Sequence, residues 1–309
     1  MIRIGIVGIG RVGSTTAFLL SKLPCVDKLV LIDPETERAK GIAMDITDGT
    51  ALHYGPIAFA GGYSDIRDCD YVVVTAGTKP DTRPGATRLS GMKDAFKIVE
   101  SIASGIKDSG FSGRIIIASN PLDTMTYAMW RLTGFPRHKV IGTGTSLDTA
   151  RYITLLADRL GIGRETISGM VLGEHGDTSF PVFSKTTIDG ENLFDYLERT
   201  KTNLSALDNI EDAVRKRGYE VARRLGSTYY GIASTIADLI LKLESEEEKT
   251  LPIALVTERK DLFEVAISLP YSVSKYGIRP ISIELTSEEE RKLVFSAKAI
   301  RETIDMFFD

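Results

Sequence analysis

The stretch Gly8-Ile9-Gly10-Arg11-Val12-Gly13 decides the fold of this chain. It directly follows a short apolar run at residues 2–7 and opens a segment with apolar residues at helical spacing, which is the context that a dinucleotide-binding fingerprint requires. In such a loop Gly8 permits the tight turn, Gly10 lets the backbone approach a pyrophosphate, and Gly13 lets helix and strand pack closely. The N–H groups of the helix would face the phosphates. We therefore predict that all six residues line a dinucleotide site.

Asp33 strengthens this prediction and selects the cofactor. It ends the second apolar run, twenty residues after Gly13. A carboxylate at this place accepts hydrogen bonds from both ribose hydroxyls and repels a 2′-phosphate, so the expected cofactor is NAD and not NADP. The alternative is a glycine-rich turn that closes a hairpin, with Asp33 capping the next helix. The combination of strand, helix and acid favours the dinucleotide site.

The first half of the chain alternates short β-branched runs with longer periodic segments, which is typical of an α/β fold with a parallel sheet and crossover helices. The predicted strands are residues 2–7, 28–32, 71–75, 114–118 and 140–142. The predicted helices are residues 11–22, 35–47, 89–109, 121–133 and 146–160. The order is the βαβαβ order of a doubly wound sheet.

Beyond about residue 145 strands become fewer, and residues 210–225, 227–244 and 286–306 are predicted to form helices. This change indicates a second domain of α+β type. A chain of 309 residues is long enough for two domains with cores of their own. We place the division between residues 144 and 145, which gives domains 1–144 and 145–309.

Composition excludes several classes of partner. The net charge is −4 and no long stretch rich in Lys and Arg occurs, which argues against nucleic acid and anionic membranes. The cysteines are Cys25 and Cys69, without partners at metal-ligand spacing, so no disulfide framework or zinc site is expected. A reducing cytoplasm fits this usage best. No stretch reaches the roughly 18 apolar residues of a membrane span.

Three residues form a candidate catalytic group. His175 lies in a loop between glycines, Leu172-Gly173-Glu174-His175-Gly176-Asp177, and a loop histidine can reach a ligand. Asp148 and Arg151 are three residues apart on one predicted helix, so their side chains leave the same face. A buried carboxylate can orient an imidazole, and an arginine fork can bind a substrate carboxylate. A surface histidine and a simple intrahelical ion pair are the alternatives at this point.

The motifs taken together resemble the L-lactate/malate dehydrogenase family, and most closely its bacterial L-lactate and L-2-hydroxyisocaproate dehydrogenases. They follow in family order over most of the chain. They are Gly8–Gly13, Asp33, Thr75-Ala76-Gly77, Pro84-Gly85 with Arg88, Ser119-Asn120-Pro121, Gly142-Thr143-Gly144-Thr145 with Leu147-Asp148-Thr149-Ala150-Arg151, and Gly173–Asp177. The resemblance implies a Rossmann-type NAD domain followed by a catalytic domain, and NAD-dependent oxidation of small 2-hydroxy acids to 2-keto acids.

The resemblance also implies the roles of the site residues. His175 would exchange the hydroxyl proton, Asp148 would orient it, and Arg151 would bind the substrate carboxylate in a bidentate fork that lysine could not reproduce. Arg88, at the end of a closing lid, would polarise the carbonyl. Asn120 would bind near the carbonyl and the nicotinamide, with a cis bond to Pro121. Thr75, Ala76 and Gly77 would line the cofactor site.

The preferred substrate depends on the lid. Lactate enzymes carry a glutamine six residues before the lid arginine and malate enzymes an arginine, whereas this chain has Thr82 there and Arg83 one residue later. A shifted lid could let Arg83 bind a second carboxylate, which keeps malate as the alternative. Thr228 is typical of lactate-type enzymes, so a monocarboxylate is preferred. The lid also resembles that of hydroxyisocaproate enzymes, which admit branched 2-keto acids such as 2-ketoisocaproate.

Three further expectations concern regulation, assembly and other classes of function. The arginine and histidine with which related enzymes bind fructose 1,6-bisphosphate are replaced by Ile153 and Ser168, so no activation by this sugar is expected. A homotetramer is expected before a dimer. Two other classes of function are disfavoured. An NAD-dependent glycosidase would need a metal held by cysteine and histidine in the second half of the chain, where neither Cys25 nor Cys69 lies. A non-catalytic NAD-binding protein would have no reason to combine His175 with Asp148 and Arg151.

Overall fold

The computed structural model describes residues 1–53, 55–77 and 88–308, with the side chains of residues 88–92 left out. The chain forms two compact units. The first contains residues 1–143, Tyr229–Leu241 and the C-terminal stretch from Thr303, and the second contains Gly144–Thr228 and Lys242–Glu302. A division between 144 and 145 would place the two late segments in the second domain, whereas their contacts assign them to the first unit.

The first unit is built on a parallel sheet. Its strands are β1 (Ile2–Val7), β2 (Val26–Ile32), β3 (Ile57–Ala60), β4 (Tyr71–Val74), β5 (Arg114–Ile117) and β6 (Val140–Gly142). Their spatial order is β6-β5-β4-β1-β2-β3. Strand β1 pairs in parallel with both β2 and β4, so the strand order reverses at β1. The carboxyl end of that strand is where doubly wound sheets bind their ligands.

Helices follow the strands of this sheet. They are α1 (Arg11–Leu20), α2 (Thr36–Ala51), α3 (Arg88–Asp108) and α4 (Leu122–Thr133). Strand β4 is buried along its whole length, because parallel strands are covered on both faces. The prediction of a Rossmann-type α/β domain is confirmed. Strand β3 was not predicted, because residues 57–60 form a short run on the exposed edge of the sheet.

The second unit combines helices with short antiparallel sheets. It begins with α5 (Ser146–Leu160), followed by β7 (Ile167–Ser168), β8 (Val171–Leu172), β9 (Phe180–Pro181), β10 (Thr187–Ile188), β11 (Glu191–Asn192), α6 (Leu193–Thr200) and α7 (Ile210–Leu225). After α8 (Tyr230–Glu244) come the longer strands β12 (Lys249–Val256), β13 (Ala266–Ser274) and β14 (Gly277–Pro280), and finally α9 (Ser287–Phe308).

The second unit confirms the α+β prediction but contains more strand than expected. Strands β12 and β13 pair in antiparallel register over eight residue pairs. The apolar part of β12 is buried on every residue, so it shows no alternation that would distinguish a strand from a buried helix. Its register is a tertiary property that the local pattern could not reveal.

Aromatic packing explains why the C-terminal stretch belongs to the first unit. The ring of Phe96 on α3 stacks on Phe307 at 5.0 Å between centroids and meets Phe308 edge-on. Phe308 also contacts Tyr127 on α4 at 5.6 Å. Buried aromatic pairs contribute about 0.5–1.5 kcal/mol beyond their burial. The last turn of α9 is thereby held on the helices of the first unit.

Within the parts of the chain that the structure describes, no helix has the length and apolar character needed to span a bilayer.

Candidate active site

The glycine loop between β1 and α1 has a geometry that fits a dinucleotide. Gly8 has φ +93°, a left-handed conformation that favours glycine, and a Cβ there would lie 2.5 Å from the backbone of Ala76. A Cβ on Gly13 would lie 2.0 Å from the carbonyl oxygen of Gly8. A Cβ on Gly10 would meet nothing within 4 Å. Gly8 and Gly13 are therefore needed by the fold, whereas the space beside Gly10 is available to a ligand.

Asp33 is held next to this loop by backbone donors. Its Oδ2 accepts a hydrogen bond from the N–H of Ile9 at 2.6 Å, and its Oδ1 accepts one from the N–H of Glu35 at 2.9 Å. A carboxylate offers about four lone-pair sites, so acceptor capacity remains for two ribose hydroxyls. The loop of residues 8–13, the N-terminus of α1 and Asp33 thus fit NAD, and the 2′-phosphate of NADP would meet a negative charge.

Two more predicted segments join the cofactor region. The hydroxyl of Thr75 donates to the carbonyl oxygen of Gly8 at 2.6 Å, and the hydroxyl of Ser119 donates to the carbonyl oxygen of Ala76. Gly77 follows and is exposed. Asn120 is exposed, and its peptide bond to Pro121 is cis, as expected. Hydrogen bonds therefore tie the ends of β1, β4 and β5 together.

The second unit brings His175 and Asp148 into direct contact. Nδ1 of His175 lies 2.6 Å from Oδ2 of Asp148, although the residues are 27 positions apart. Nη1 of Arg151 donates to the other carboxylate oxygen at 2.8 Å. The exposed fractions of these side chains are 7% for Asp148, 14% for Arg151 and 24% for His175. A buried carboxylate therefore lies between a guanidinium and an imidazole, both of which are partly exposed.

The electrostatics keep Asp148 ionised. Burial by itself raises the pKa of Asp148, but the charge and hydrogen bond of His175, followed by those of Arg151, outweigh burial and leave the pKa below its ordinary value. Asp148 also lies in the first turn of α5, where the helix dipole favours a negative charge. By reciprocity the carboxylate favours the protonated imidazolium, which suits His175 for proton donation.

Local contacts explain how α5 and the histidine loop are held together. The hydroxyl of Thr149 on α5 accepts a hydrogen bond from the N–H of Val171 at 2.9 Å. The hydroxyl of Thr145, the residue before α5, donates to the carbonyl oxygen of Val171 at 2.5 Å. Val171 belongs to β8, which leads directly into the loop of His175. Both threonines stand in the family motifs, but the sequence assigned them no role, because their partner lies more than 20 residues away.

Gly218 on α7 is a further neighbour of the site that sequence reasoning missed. A Cβ at this position would lie 3.3 Å from Nη2 of Arg151. A glycine in the middle of a helix costs about 0.5–1 kcal/mol relative to alanine, so its presence beside the guanidinium needs a reason. It leaves room next to the nitrogen that is not bonded to Asp148. The one sequence signal was a glycine inside a predicted helix.

The remaining predicted site residues are placed as follows. Thr228 lies half-buried in the connection between α7 and α8. Arg88 is the first residue of α3, and its side chain is not described. Thr82 and Arg83, with the rest of the predicted lid at residues 78–87, lie outside the described residues. Their roles stay predictions.

Comparison with known proteins identifies the family. Residues 2–142 match the family model of the lactate/malate dehydrogenase NAD-binding domain, and residues 145–309 match that of the lactate/malate dehydrogenase α/β C-terminal domain. The chain belongs to the lactate/malate dehydrogenase family. It is an NAD-dependent oxidoreductase that acts on 2-hydroxy acids.

Individual relatives agree with this assignment. The chain is 35% identical to L-lactate dehydrogenase 3 of Bacillus anthracis over 97% of its own length and 96% of the relative. It is 35% identical to L-lactate dehydrogenase 1 of Listeria monocytogenes over 98% and 96%. Among solved structures, the minor L-lactate dehydrogenase of Enterococcus mundtii superposes with a TM-score of 0.93 at 31% identity, covering 99% and 98% of the two chains.

Proposed function

We propose that this member of the family is an L-lactate dehydrogenase that reduces pyruvate to L-lactate with NADH. The observation that carries the proposal is the contact of His175 with the ionised Asp148, beside an accessible Arg151. The names of the similar proteins support lactate as the product. A small 2-keto or 2-hydroxy acid is the substrate class of the family.

In this proposal the roles of the side chains follow from their bonds. NAD supplies the hydride acceptor or donor when it is bound. Asp148 engages Nδ1 of His175, so Nε2 delivers a proton to the keto oxygen as C2 receives hydride, and takes it back in the oxidation. Arg151 binds the substrate carboxylate through its guanidinium, and Arg88 polarises the carbonyl. Asn120 and Thr228 contact the substrate, and residues 75–77 line the cofactor.

Breadth toward larger 2-keto acids such as 2-ketoisocaproate belongs to the same proposal. The glycine at position 218 leaves space beside Arg151 that even a methyl group would narrow. The malate alternative depends on Arg83, a cation five residues before Arg88 that could pair with a second carboxylate. Thr82 in place of an arginine favours monocarboxylates.

The test compares kcat/KM for pyruvate, 2-ketoisocaproate and oxaloacetate by NADH oxidation, because this ratio reports transition-state discrimination. Pyruvate is expected to give the highest value. A higher value for ketoisocaproate would make the chain a branched-acid dehydrogenase, and a higher value for oxaloacetate would make it a malate dehydrogenase that uses Arg83.

A matched pair of histidine variants tests the catalytic group. His175→Ala is expected to lower kcat by roughly 10²–10⁴-fold while NADH binding is retained, because general acid catalysis contributes about that factor. His138→Gln changes an exposed histidine of the first unit and is expected to behave as the wild type. Full activity of His175→Ala would refute the assignment.

We also infer a homo-oligomer, a tetramer before a dimer, in a reducing cytoplasm. The resemblance to related dehydrogenases supports the assembly, and the low cysteine content, with Cys25 and Cys69 far apart in the sequence, supports the compartment. Sedimentation of the purified protein decides the subunit number, and cell fractionation with the activity assay decides the location.

A further inference from the structure

The loop that carries His175 needs external support. Residues 173–179 connect β8 to β9, and glycines stand at positions 173 and 176 on either side of the histidine. Gly173 has φ +94°, in the left-handed region. A backbone of this kind has little intrinsic preference for one conformation. The position of the imidazole relative to Asp148 therefore depends on the groups that hold the loop.

One buried hydroxyl of α9 holds the loop on both sides of His175. Oγ of Ser296 accepts a hydrogen bond from the N–H of Glu174 at 2.7 Å, immediately before the histidine. The same oxygen lies 2.7 Å from Oγ1 of Thr178, three residues after it. Ser296 is fully buried. A single side chain of the last helix thus touches both flanks of the histidine.

The hydroxyl of Thr178 contacts both Glu174 and Ser296. Thr178 donates its one hydroxyl proton to Oε2 of Glu174 at 2.6 Å. With that proton engaged, Ser296 is the donor toward Thr178, to Oγ1 or to the carbonyl oxygen at 3.4 Å, and it accepts from the N–H of Glu174 with the same oxygen. The contacts of Ser296 with Glu174 and Thr178 therefore join the two flanks of the histidine.

Gly173 lies so close to Ser296 that a side chain at position 173 would clash with the serine hydroxyl. A Cβ at position 173 would lie 2.6 Å from Oγ of Ser296, closer than real side chains approach. A side chain at 173 would displace the hydroxyl from the loop. The left-handed conformation and the close approach to α9 both require glycine here.

We propose that Ser296 is a positioning residue that fixes the His175 loop so that the imidazole faces Asp148. The inference rests on the proposed role of His175 in proton transfer. Ser296 touches neither substrate nor cofactor in this proposal. It acts through Glu174 and Thr178, which restrict the backbone on either side of the histidine.

The test uses Ser296→Ala, which leaves the N–H of Glu174 without its acceptor. A misplaced catalytic group of this kind is expected to lower kcat roughly 10- to 100-fold. The KM for pyruvate and the Kd for NADH are expected to change little, because Ser296 bonds to Glu174 and Thr178, neither of which is proposed to bind substrate or cofactor. The basic limb of the pH–rate profile is expected to move to lower pH, since a loosened contact with Asp148 favours the imidazolium less.

Ser184→Ala is the matched control. The hydroxyl of Ser184 donates to Glu289 of α9 at 2.7 Å, so this variant also removes a serine contact between α9 and another segment of the second unit. It is expected to lose stability without a change of kcat or of the pH profile. If Ser296→Ala and Ser184→Ala give the same kcat and the same profile, the hydroxyl of Ser296 is only structural and the inference is overturned.

Thr178→Val covers the case in which Ser296→Ala does not fold. This variant breaks the same chain of contacts at a half-buried position, and a lowered kcat with the shifted profile is expected. When Ser296→Ala and Thr178→Val are combined, the two losses of kcat are expected to be less than additive in free energy, because both substitutions act on one hydrogen-bond network. Wild-type kcat in Thr178→Val would overturn the inference.

His175→Ala in the same assays separates the two claims. If it is inactive while Ser296→Ala and Thr178→Val match the wild type, the positioning role alone is lost. If His175→Ala is active, the proposed function of the site fails.

Discussion

Asp148 uses both of its carboxylate oxygens, one for His175 and one for Arg151. In the proposed mechanism, this shared carboxylate couples proton transfer by His175 to substrate binding by Arg151. Because the pKa of Asp148 is held below its ordinary value, this group stays ionised throughout the neutral range. A change of activity near neutral pH is therefore expected to come from another group, and of the two residues that Asp148 contacts, histidine is the residue type that ordinarily titrates near neutral pH.

Asp148→Asn is expected to lower kcat/KM for pyruvate reduction by roughly 10²–10⁴-fold, the usual contribution of general acid catalysis. The substitution removes the charge that favours the imidazolium form of His175, so the basic limb of the pH–rate profile moves to lower pH. Rates measured between pH 5 and 9 with each variant check the shift. An unmoved profile would show that Asp148 does not act through the histidine.

Arg151→Lys is expected to lower kcat/KM for pyruvate about 10- to 100-fold, mainly through KM. Lysine keeps the charge but loses the planar fork, and a charge-assisted hydrogen bond contributes about 1.5–3 kcal/mol. Arg159→Lys, on the exposed part of the same helix, is the control and is expected to leave the kcat and the KM for pyruvate unchanged. An unchanged KM in Arg151→Lys would mean that the substrate carboxylate binds elsewhere.

At the scale of secondary structure, the turn from β1 to α1 contains one glycine that the fold requires and another that the proposed cofactor site requires. Gly13 packs against the carbonyl oxygen of Gly8, whereas Gly10 faces open space with an extended backbone at φ −72°. The same substitution at the two glycines therefore has different consequences. One position carries the contact between strand and helix, and the other leaves the approach to the cofactor open.

Gly10→Ala is expected to keep the Tm of the wild type and to weaken NADH binding by roughly 10-fold or more, which corresponds to about 1.4 kcal/mol. Gly13→Ala is expected to lower the Tm, because its methyl group has no room. Calorimetry and NADH fluorescence titration measure both effects.

Gly41→Ala is the control for this pair. Gly41 is exposed on α2 and a Cβ there meets nothing within 4 Å, so the change is expected to add about 0.5–1 kcal/mol of stability and to leave NADH binding alone. If Gly10→Ala binds NADH as tightly as Gly41→Ala, the pyrophosphate does not lie against Gly10.

At the scale of the whole molecule, the chain is expected to work without a sugar-phosphate activator. At the two positions where related enzymes place an arginine and a histidine, this chain has residues that make structural contacts. Ile153 packs against the apolar core of the second unit, and Ser168 pairs with Thr187 between β7 and β10. Neither residue can neutralise a phosphate.

Titration of pyruvate reduction with fructose 1,6-bisphosphate up to millimolar concentration is expected to leave kcat and KM unchanged. Sedimentation in the presence and absence of the sugar checks that the assembly is also unaffected. A pronounced activation would show that other cations of the chain form an anion site.

The sequence alone was sufficient wherever the information is local. Gly8 to Gly13 and Asp33 belong to one βαβ unit, so their spacing already predicted the turn, the helix and the choice of NAD. Asp148 and Arg151 are three residues apart on one helix, so their common face was also predictable. The family resemblance then supplied His175 as the partner, and the structure places it against Asp148.

Tertiary structure alone decided what depends on residues far apart in the chain. The apolar part of β12 is buried without alternation, and its pairing with β13 appears only once both strands are placed. The contact of Gly218 with Arg151 and that of Ser296 with the histidine loop join residues 67 and about 120 positions apart. Such contacts leave no periodic signal, because a serine or glycine inside a helix looks the same whether it faces solvent or supports a catalytic loop.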